Sequence, residues 1–428
     1  MKLTAPFTCD NIHNNVPPGG CTVSETQKNQ NAKKKTAAKP KVAQKKKTTA
    51  KAAAKKSVKK TPATSTAKKA APAKKPAPAP APPALKTFLV TGASGFVGTH
   101  MVNLLVKKGY NVIAADLVGT DGGKFAELGV PFIPVDISRK DSLQNTFEHV
   151  DAVMHVAAIF DYTVSWQDLW RVNVKGTRNV CESAAEQGVK KLVYFSSCDI
   201  YGDPAKIPAD ESTKIRPNHN YGESKFLGER EAFKVGLTRG LDVAVLRPAA
   251  LYGPGSTYGA ILLINMLYKG LLPGIPGDGK TMVHMVHVKD VVSAALFLAE
   301  HPDSSGREFN LSDDTPVQLQ RIVEHAASIL EFKVPKLHIP KFLAEAAAPF
   351  VKTFAKITST SPVFNEDMLN ILYHNHVFDS SRIHDLGYEL IVPDVIDGLS
   401  ESLEWYKDHD ILKRNIAFKR VRLKELFD

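Results

Sequence analysis

The feature that most constrains the fold of this chain is a run of three glycines spaced three residues apart. Gly92, Gly95 and Gly98 directly follow a short apolar run and open a stretch with helical spacing of apolar side chains. In a strand–turn–helix unit, such glycines permit a tight turn, close approach of a pyrophosphate, and packing of helix on strand. The helix N-terminus offers free N–H groups to phosphates. The spacing therefore predicts a dinucleotide-binding loop.

The rest of the body alternates short apolar runs with helical stretches. Further strand-like runs lie at 111–116, 131–135, 152–156, 191–195 and 243–246. Continuously apolar runs are typical of parallel strands that are covered on both faces. The sequence therefore predicts an α/β fold, a Rossmann-type doubly wound parallel sheet with a smaller C-terminal substrate lobe.

An acidic residue ends the second predicted strand. Asp116 lies 18 residues after Gly98, where its carboxylate can accept hydrogen bonds from both hydroxyls of an adenosine ribose. The same carboxylate would repel a 2′-phosphate, and residues 117–120 supply no cation to offset that repulsion. We therefore expect NAD as the cofactor in preference to NADP. The alternative is an ordinary aspartate at the end of a strand.

A tyrosine and a lysine that lie four residues apart, Tyr221 and Lys225, would share one helix face. A neighbouring ammonium and a positive nicotinamide ring favour the phenolate and lower its pKa from about 10. Such a tyrosine can take a proton from an alcohol as hydride leaves. Ser197, beyond the strand at 191–195, could hold the substrate oxygen. The alternatives are a surface helix pair and a serine that only caps the strand.

Taken in this order, the motifs resemble those of the extended short-chain dehydrogenases/reductases, the NAD-dependent epimerase/dehydratase superfamily. The resemblance covers about residues 86–410. It extends to Val135-Asp136-Ile137, His155-Val156-Ala157-Ala158, Asn173-Val174-Lys175-Gly176-Thr177, Arg247-Pro248 with Leu251-Tyr252-Gly253-Pro254-Gly255, and His287-Val288-Lys289-Asp290-Val291. The resemblance implies an NAD(P)-dependent enzyme that acts on CH–OH groups.

The resemblance also implies a set of site residues. Ser197, Tyr221 and Lys225 match the catalytic positions of the family. The implied cofactor-binding residues are Gly92, Ser94, Gly95, Phe96, Val97, Gly98, Asp116, Asp136, Ile137, Ala157, Ala158, Asn173, Tyr221, Lys225 and Pro248. Asp199 departs from the family pattern, in which small or apolar residues are usual between the serine and the tyrosine.

The substrate class is indicated by apolar and aromatic segments. Residues 157–162, followed by Trp166 and Trp170, look most like 3β-hydroxysteroid dehydrogenases and dihydroflavonol-type reductases. Residues 261–268 are almost entirely apolar, and apolar burial contributes about 25 cal/mol per Å² but nothing for a phosphate. We therefore expect a sterol-like hydroxyl or ketone as substrate. We also expect the protein to be a homodimer.

Two other functions share parts of this pattern. A nucleotide-sugar epimerase or dehydratase with tightly held NAD carries nearly every motif. A cofactor-sensing interaction protein with a nucleic-acid-binding tail would have degenerate catalytic positions, whereas Ser197, Tyr221 and Lys225 are intact here. The dehydrogenase is therefore the favoured interpretation.

Charge divides the chain into two unlike parts. Residues 1–86 hold twenty lysines and two acids, so the net charge of +12 originates there, while the remainder holds 36 basic and 42 acidic residues. Like charge and few large apolar side chains predict that 1–85 is disordered. The eighteen lysines of 28–75 could bind a polyanion, either nucleic acid or an anionic membrane surface, or could merely solubilise the chain.

The predicted domain boundaries follow from these features. Residues 86–250 form the NAD-binding Rossmann domain, 251–410 a substrate-binding lobe that is discontinuous with it, and 411–428 a basic amphipathic C-terminal segment. The apolar, lysine-bearing segments 339–355 and 411–426 could lie at a membrane interface, or could pack on the lobe and form a solvated helix.

Several classes are disfavoured. No window of 18 apolar residues predicts a membrane span, and the N-terminus lacks the apolar run of a secretory signal. The four cysteines have no metal spacing, and neither do His284, His287, His374 and His376, so no metal site is predicted. We expect a cytoplasmic protein, with peripheral membrane association as a further option.

Overall fold

The computed structural model describes residues 85–120, 122–346, 372–409 and 412 of the 428-residue chain. The predictions of a disordered tail at 1–85 and of an amphipathic segment at 411–428 fall outside the described residues, Leu85 and Leu412 apart. The second half of the apolar segment 339–355 also lies outside them.

Among the described residues, seven parallel strands form the central sheet, in the order β11-β6-β5-β4-β1-β2-β3. The strands of the central sheet are β1 (Thr87–Thr91), β2 (Asn111–Asp116), β3 (Phe132–Pro134), β4 (Ala152–His155), β5 (Lys191–Phe195), β6 (Asp242–Pro248) and β11 (Glu308–Leu311). The other described strands form two-stranded sheets: β7 (Ala250–Tyr252) with β10 (Met285–His287), β9 (Met282–Val283) with β12 (Val317–Gln318), and β8 (Ile275–Pro276) with β13 (His338–Ile339). The predicted α/β class, with its parallel sheet, is confirmed.

Helices connect these strands. They are α1 (Phe96–Lys107), α2 (Gly123–Ala126), α3 (Trp166–Leu169), α4 (Thr177–Glu186), α5 (Asn220–Arg239), α6 (Ala260–Tyr268), α7 (Val288–Glu300), α8 (Leu319–Leu330), α9 (Ser381–His384) and α10 (Val395–Asp408). A π-helical turn, Trp170–Gly176, joins α3 to α4. None of the described helices is long and apolar enough to cross a bilayer.

Both faces of the sheet are covered by other elements of the fold. Successive side chains of a strand point to opposite faces, so each strand contributes to both. Phe88 and Val90 of β1 belong to one buried cluster, together with Met101 of α1 and Val291 of α7. Leu89, between them, belongs to a second cluster that includes residues of α4 and α5. The continuous apolar run of β1 therefore serves two separate cores.

The winding of the sheet reverses between β1 and β4. β1 pairs with β2 on one side and with β4 on the other, so Thr91 has both Ala115 and His155 as neighbours. In open α/β sheets, ligands bind in the crevice at the carboxyl ends of the strands beside such a reversal. The glycine-rich loop emerges at this point.

The chain leaves the sheet after β6 and returns to it once. β11 pairs with β6, and α7 shares the buried cluster of α1. These elements lie within 251–410, so the substrate lobe that we propose for that range is interrupted by the return. The remaining lobe elements surround a separate apolar cluster that contains Ile264 of α6, Ile322 of α8 and Leu403 of α10.

Candidate active site

The glycine-rich loop joins β1 to α1 at the carboxyl edge of the sheet. Gly92 has a φ of 69°, which favours glycine, and a Cβ there would lie 2.8 Å from the main chain of Ala157. A Cβ on Gly98 would lie 2.0 Å from the carbonyl oxygen of Gly92. Gly95, the N-cap of α1, places no side chain over the first-turn N–H groups. The helix N-terminus is therefore suited to a phosphate.

Asp116 lies at the end of β2, beside this loop. Its Oδ2 accepts a hydrogen bond from the Ser94 N–H at 2.8 Å, and its Oδ1 accepts one from the Leu117 N–H at 2.8 Å. Lys124, a residue that the sequence analysis missed, donates from Nζ to the Ser94 carbonyl at 3.1 Å and to the Thr99 hydroxyl at 2.8 Å. An ammonium on α2 therefore lies beside the loop, although Lys124 is not among the residues that line the cavity.

A buried histidine, His155, contacts the hydroxyl groups of Thr91 and Thr177. The Thr91 hydroxyl accepts from the Ala157 N–H at 3.2 Å, and it lies 2.8 Å from His155 Nδ1. His155 Nε2 lies 3.1 Å from the Thr177 hydroxyl, which donates to the Asn173 carbonyl at 2.7 Å. Burial lowers the pKa of His155 to about 3, so the neutral ring links β1, β4 and α4.

Asn173 occupies the π-helical turn and is fully buried. Its Nδ2 donates to the Ile159 carbonyl at 3.0 Å and to the Ser224 hydroxyl at 2.9 Å, and its Oδ1 accepts from the Ile159 N–H at 2.8 Å. The amide thereby ties the segment after β4 to α5. Any effect of Asn173 on a cofactor would be transmitted through these two partners.

The three predicted catalytic residues come from β5 and α5. Ser197 follows β5, and its Oγ accepts a hydrogen bond from the Asp199 N–H at 3.1 Å. Tyr221 and Lys225 lie on successive turns of α5, which begins where His219 caps the helix by accepting from a backbone N–H. Tyr221 is 7% exposed and Lys225 is 2% exposed. All three line one cavity.

Burial shifts the pKa values of this set strongly. Burial raises the pKa of Tyr221 far above its ordinary value; the Asp199 carboxylate raises it further, and a hydrogen bond with Ser197 opposes the shift. The lowering expected from the adjacent lysine is therefore not found in the protein alone. Burial lowers the pKa of Lys225 to about 7, and Glu229, one turn further along α5, opposes that shift. Lys225 Nζ lies 4.4 Å from the centre of the Tyr194 ring.

The cavity has a volume of about 510 Å³ and extends from the glycine-rich loop to α6 and α8. The predicted site residues that line it are Gly92, Gly95, Phe96, Val97, Gly98, Asp116, Asp136, Ile137, Ala157, Ala158, Ser197, Tyr221, Lys225 and Pro248. Ser94 and Asn173 are not among the lining residues. The Ser94 N–H donates to Asp116, and the Asn173 amide is hydrogen-bonded to Ile159 and Ser224.

The far wall of the cavity is apolar and aromatic. Leu262 and Leu263 of α6 contribute to it, as the apolar stretch 261–268 led us to expect. Phe160 packs edge-on against Tyr221 at 4.9 Å and against Tyr258 at 5.2 Å, between ring centres. The sequence analysis missed Tyr258 because it lies in a loop, where side chains follow neither the helical nor the strand spacing.

Few charged groups line this cavity. The carboxylates are those of Asp116, Asp136, Asp161 and Asp199. Lys225 carries the one ammonium or guanidinium group in the lining formed by described residues. Asp199 accepts a hydrogen bond from the Tyr162 hydroxyl at 2.9 Å. Across the described ranges, no three His, Cys, Asp or Glu side chains gather as metal ligands would.

The profile of the NAD dependent epimerase/dehydratase family matches residues 88–312 of this chain. The chain belongs to this family. It is accordingly an NAD-dependent enzyme of the extended short-chain dehydrogenase/reductase type, which acts on CH–OH groups, and the prediction of NAD as cofactor is confirmed.

The relatives of this chain include sterol-related dehydrogenases and an epimerase. The chain is 28% identical over 346 residues to 3beta-hydroxysteroid-dehydrogenase/decarboxylase isoform 1 of Arabidopsis thaliana, covering 74% of this chain and 78% of that protein. It is 28% identical to the decarboxylating sterol-4-alpha-carboxylate 3-dehydrogenase of Mus musculus, covering 72% and 87%. A putative UDP-glucose 4-epimerase of Methanocaldococcus jannaschii is 34% identical over 218 residues, covering 49% and 72%.

Solved structures of similar fold include sugar-nucleotide enzymes. MoeE5 in complex with UDP-glucose and NAD superposes with a TM-score of 0.61 and 25% identity, covering 76% of this chain and 99% of that one. The UDP-glucose 4-epimerase of Thermotoga maritima superposes with a TM-score of 0.62 and 23% identity, covering 76% and 99%. The latter similarity establishes the fold alone, and confirms the Rossmann prediction for this family member.

Proposed function

We propose that this enzyme interconverts a secondary alcohol and a ketone on a hydrophobic, 3β-hydroxysteroid-like substrate. The observation that carries the proposal is the lining of the cavity. Lys225 is its one ammonium or guanidinium group among the described residues, whereas its far wall is built of side chains such as Leu262 and Ile322. That wall suits an apolar ring system and provides no cations for a diphosphate.

The residues that would hold NAD are those of the glycine-rich loop for the pyrophosphate, Asp116 for the adenosine ribose, and Lys225 for the nicotinamide ribose. The open N-terminus of α1 and the tight fit of Gly98 against Gly92 are what a dinucleotide requires. When bound, the nicotinamide supplies the acceptor or donor of hydride.

The protein's own part in the reaction is proton transfer and orientation. Ser197 holds the substrate oxygen by a hydrogen bond, and the Tyr221 oxygen takes the hydroxyl proton during oxidation or returns it during reduction. Lys225, when charged, favours the phenolate of Tyr221 by Coulomb attraction. Burial lowers the pKa of Lys225 to about 7.

The alternative is a nucleotide-sugar epimerase with tightly held NAD. The local identity of 34% to the putative UDP-glucose 4-epimerase favours it, but that match covers 49% of this chain. The two sterol-related proteins each cover more than 70% of it. Breadth of similarity and the apolar wall therefore both support the steroid class.

A turnover screen separates these functions. Purified enzyme is supplied with NAD and 3β-hydroxysteroids, flavanonols, other alcohols or UDP-sugars; NADH fluorescence reports oxidation, and chromatography reports epimerised sugar. We expect NADH formation with at least one 3β-hydroxysteroid and unchanged UDP-sugars. Epimerised sugar without turnover of any steroid would refute the steroid proposal in favour of the alternative.

Cofactor preference provides a further prediction. We expect Asp116→Ser combined with Leu117→Arg to shift the preference toward NADP by about tenfold or more, because a repelling carboxylate is replaced by a cation. Lys124, already beside the loop, would assist. The measurement is the ratio of kcat/KM for the two cofactors, with Asp161→Ser as a control elsewhere in the cavity. An unchanged ratio would argue against the role proposed for Asp116.

A pH prediction follows from Asp199. Its carboxylate raises the pKa of Tyr221, so Asp199→Asn should lower that pKa and allow the phenolate to form at lower pH. The rising limb of kcat/KM for alcohol oxidation should therefore move to lower pH. The profile is measured from neutral to alkaline pH, with Asp161→Asn as a control for another cavity carboxylate. A limb that stays in place would show that Asp199 does not tune Tyr221.

The lysine-rich tail, residues 1–85, provides a candidate binding segment for polyanions. Its eighteen lysines between residues 28 and 75 should bind polyanions by counterion release, in a manner that is steeply salt-dependent and indifferent to sequence. We expect deletion of residues 1–84 to abolish retention on heparin and the salt-dependent part of binding to anionic vesicles, while kcat and NAD affinity stay unchanged. Equal binding by the truncated chain at low salt would place the polyanion site elsewhere.

Exposed apolar side chains and the proposed lipid-like substrate suggest where the protein is located. We propose a cytoplasmic homodimer that associates peripherally with membranes, a setting that suits a lipid-like substrate. Exposed apolar side chains near β8 and β13 support membrane association, among them Leu271 (67% exposed) and Phe342 (66% exposed). Binding to neutral vesicles by the chain that lacks residues 1–84 would measure this contribution without the tail.

A further inference from the structure

A carboxylate, that of Asp199, belongs to the reacting end of the cavity. Asp199 lines the cavity together with Ser197 and Tyr221, and its N–H donates to Ser197 Oγ at 3.1 Å. A Cβ on Gly222, the residue after Tyr221, would lie 2.6 Å from the Asp199 carbonyl oxygen, so the turn after β5 packs tightly on the first turn of α5. The backbone that carries Asp199 is therefore fixed beside both Ser197 and Tyr221.

The carboxylate of Asp199 is partly exposed. Its side chain is 24% exposed, and Oδ2 accepts a hydrogen bond at 2.9 Å from the hydroxyl of Tyr162, another lining residue. The Tyr162 ring is in turn 5.8 Å from the Tyr221 ring, between centres. Asp199 Oδ1 accepts no hydrogen bond from the described residues, and it is not one of the solvent-shielded polar atoms that lack a partner. This oxygen is therefore available to a ligand.

Within the described part of the chain, no cation neutralises this carboxylate. The one basic side chain within 4 Å of it there is His219, whose Nε2 lies 3.9 Å from Asp199 Oδ2. His219 Nδ1 accepts from the Gly222 N–H at 3.0 Å, so Nδ1 carries a lone pair and the ring is neutral. Burial lowers the pKa of His376, another lining histidine, although the charge of Asp199 opposes that shift.

We propose that Asp199 excludes substrates that carry an anionic group beside the reacting carbon, and so restricts the enzyme to neutral alcohols. This inference rests on the proposed steroid-type function, in which Ser197 and Tyr221 hold the reacting oxygen. An anion on the neighbouring carbon would approach the Asp199 carboxylate, and like charges repel strongly in a partly buried site. A neutral polar group could instead donate a hydrogen bond to Asp199 Oδ1.

The effect of Asp199 on Tyr221 supports this assignment. The Asp199 carboxylate raises the pKa of Tyr221, the residue that exchanges the substrate proton, so its charge acts at the reacting end of the cavity. The proposed specificity differs from that of the Mus musculus relative, whose name specifies a sterol 4-alpha-carboxylate. Asp199 would therefore be a specificity-determining residue of this chain.

The chain offers a matched control for Asp199→Asn. Asp161 also lines the cavity, but its Oδ1 accepts from the N–H and the hydroxyl of Thr163 at 2.7 and 2.6 Å. In Asp199→Asn, the amide oxygen can still accept from the Tyr162 hydroxyl, and only the charge is removed. Asp161→Asn removes a charge from the same cavity without changing the group beside Ser197. Thermal unfolding of both variants reports any structural effect.

The test uses two 3β-hydroxysterols that differ only at C4, one with a 4α-carboxylate and one with the isosteric, neutral 4α-carboxamide. The reference substrate is the 3β-hydroxysteroid that the turnover screen identifies. kcat/KM is measured with NAD, and a probe that is not oxidised is assayed as an inhibitor of the reference reaction. Any change in the pKa of Tyr221 in Asp199→Asn affects both probes alike, so the ratio between the probes isolates the exclusion of charge.

We expect wild-type enzyme and Asp161→Asn to favour the amide over the acid by about tenfold or more, and Asp199→Asn to reduce that ratio to about threefold or less. Three results would overturn the inference: a wild-type ratio near one or in favour of the acid, a preference that survives in Asp199→Asn, or failure of both probes to bind, which would show that size rather than charge limits the substrate. Absence of turnover of every steroid in the screen is a different failure. It would refute the proposed steroid function itself, and the role of Asp199 would fall with it.

Discussion

Tyr221→Phe should reduce turnover by about 10²–10⁴-fold while NAD still binds, because proton transfer by a positioned side chain contributes about that factor. The variant removes only the hydroxyl. The edge-on contact of the ring with Phe160, at 4.9 Å between ring centres, would be kept. Turnover is followed by NADH formation with the steroid that the screen identifies, and NAD affinity by quenching of protein fluorescence.

The matched control is Tyr258→Phe, which removes the same atom from another tyrosine that lines the cavity. Its turnover should stay within about tenfold of the wild-type value, since no proton passes through it in the proposed mechanism. If Tyr221→Phe also stays within that range, Tyr221 does not carry the proton. Loss of NAD binding in Tyr221→Phe would instead indicate a role in the cofactor site.

Arg247→Met should lower the free energy of unfolding by about 3–5 kcal/mol, because it leaves the charge of Glu229 buried and unpaired. Arg247 and Glu229 are each 3% exposed. Arg247 Nε donates to one Glu229 carboxylate oxygen at 3.1 Å, Nη2 donates to the other, and Nη1 donates to the Tyr201 hydroxyl at 2.9 Å. The pair joins β6 to α5, the helix that carries Tyr221. The measurement is urea denaturation.

Two controls accompany this prediction. The double variant Arg247→Met with Glu229→Leu should recover much of the lost stability, because the orphaned charge is removed as well. Arg139→Met breaks an ion pair with Asp141 that is largely exposed, and its urea midpoint should not change measurably. A wild-type urea midpoint for Arg247→Met would show that the pair contributes nothing to stability.

Local sequence patterns were sufficient to predict most of the sheet. The predicted strand at 191–195 coincides with β5, and the runs at 111–116 and 152–156 differ from β2 and β4 by at most one residue. These strands are central, so their apolar residues run without interruption. β11, at the sheet edge, was not predicted, because a four-residue strand with a charged residue and an asparagine has no distinctive pattern.

The sequence alone determined the strand–loop–helix unit at 87–107, the aspartate at the end of β2, and the placement of Tyr221 and Lys225 on one helix. Each depends on spacing within a single element or between adjacent ones, which the helical and strand repeats set. The tertiary structure alone decided the electrostatics. Burial lowers the pKa of Lys225 to about 7 and raises the pKa of Tyr221, and segments remote in the sequence provide that burial. His284 Nδ1 accepts a hydrogen bond from the N–H of Phe378, which is 94 residues away along the chain. Contacts of that range depend on how the whole chain packs, so no local pattern encodes them.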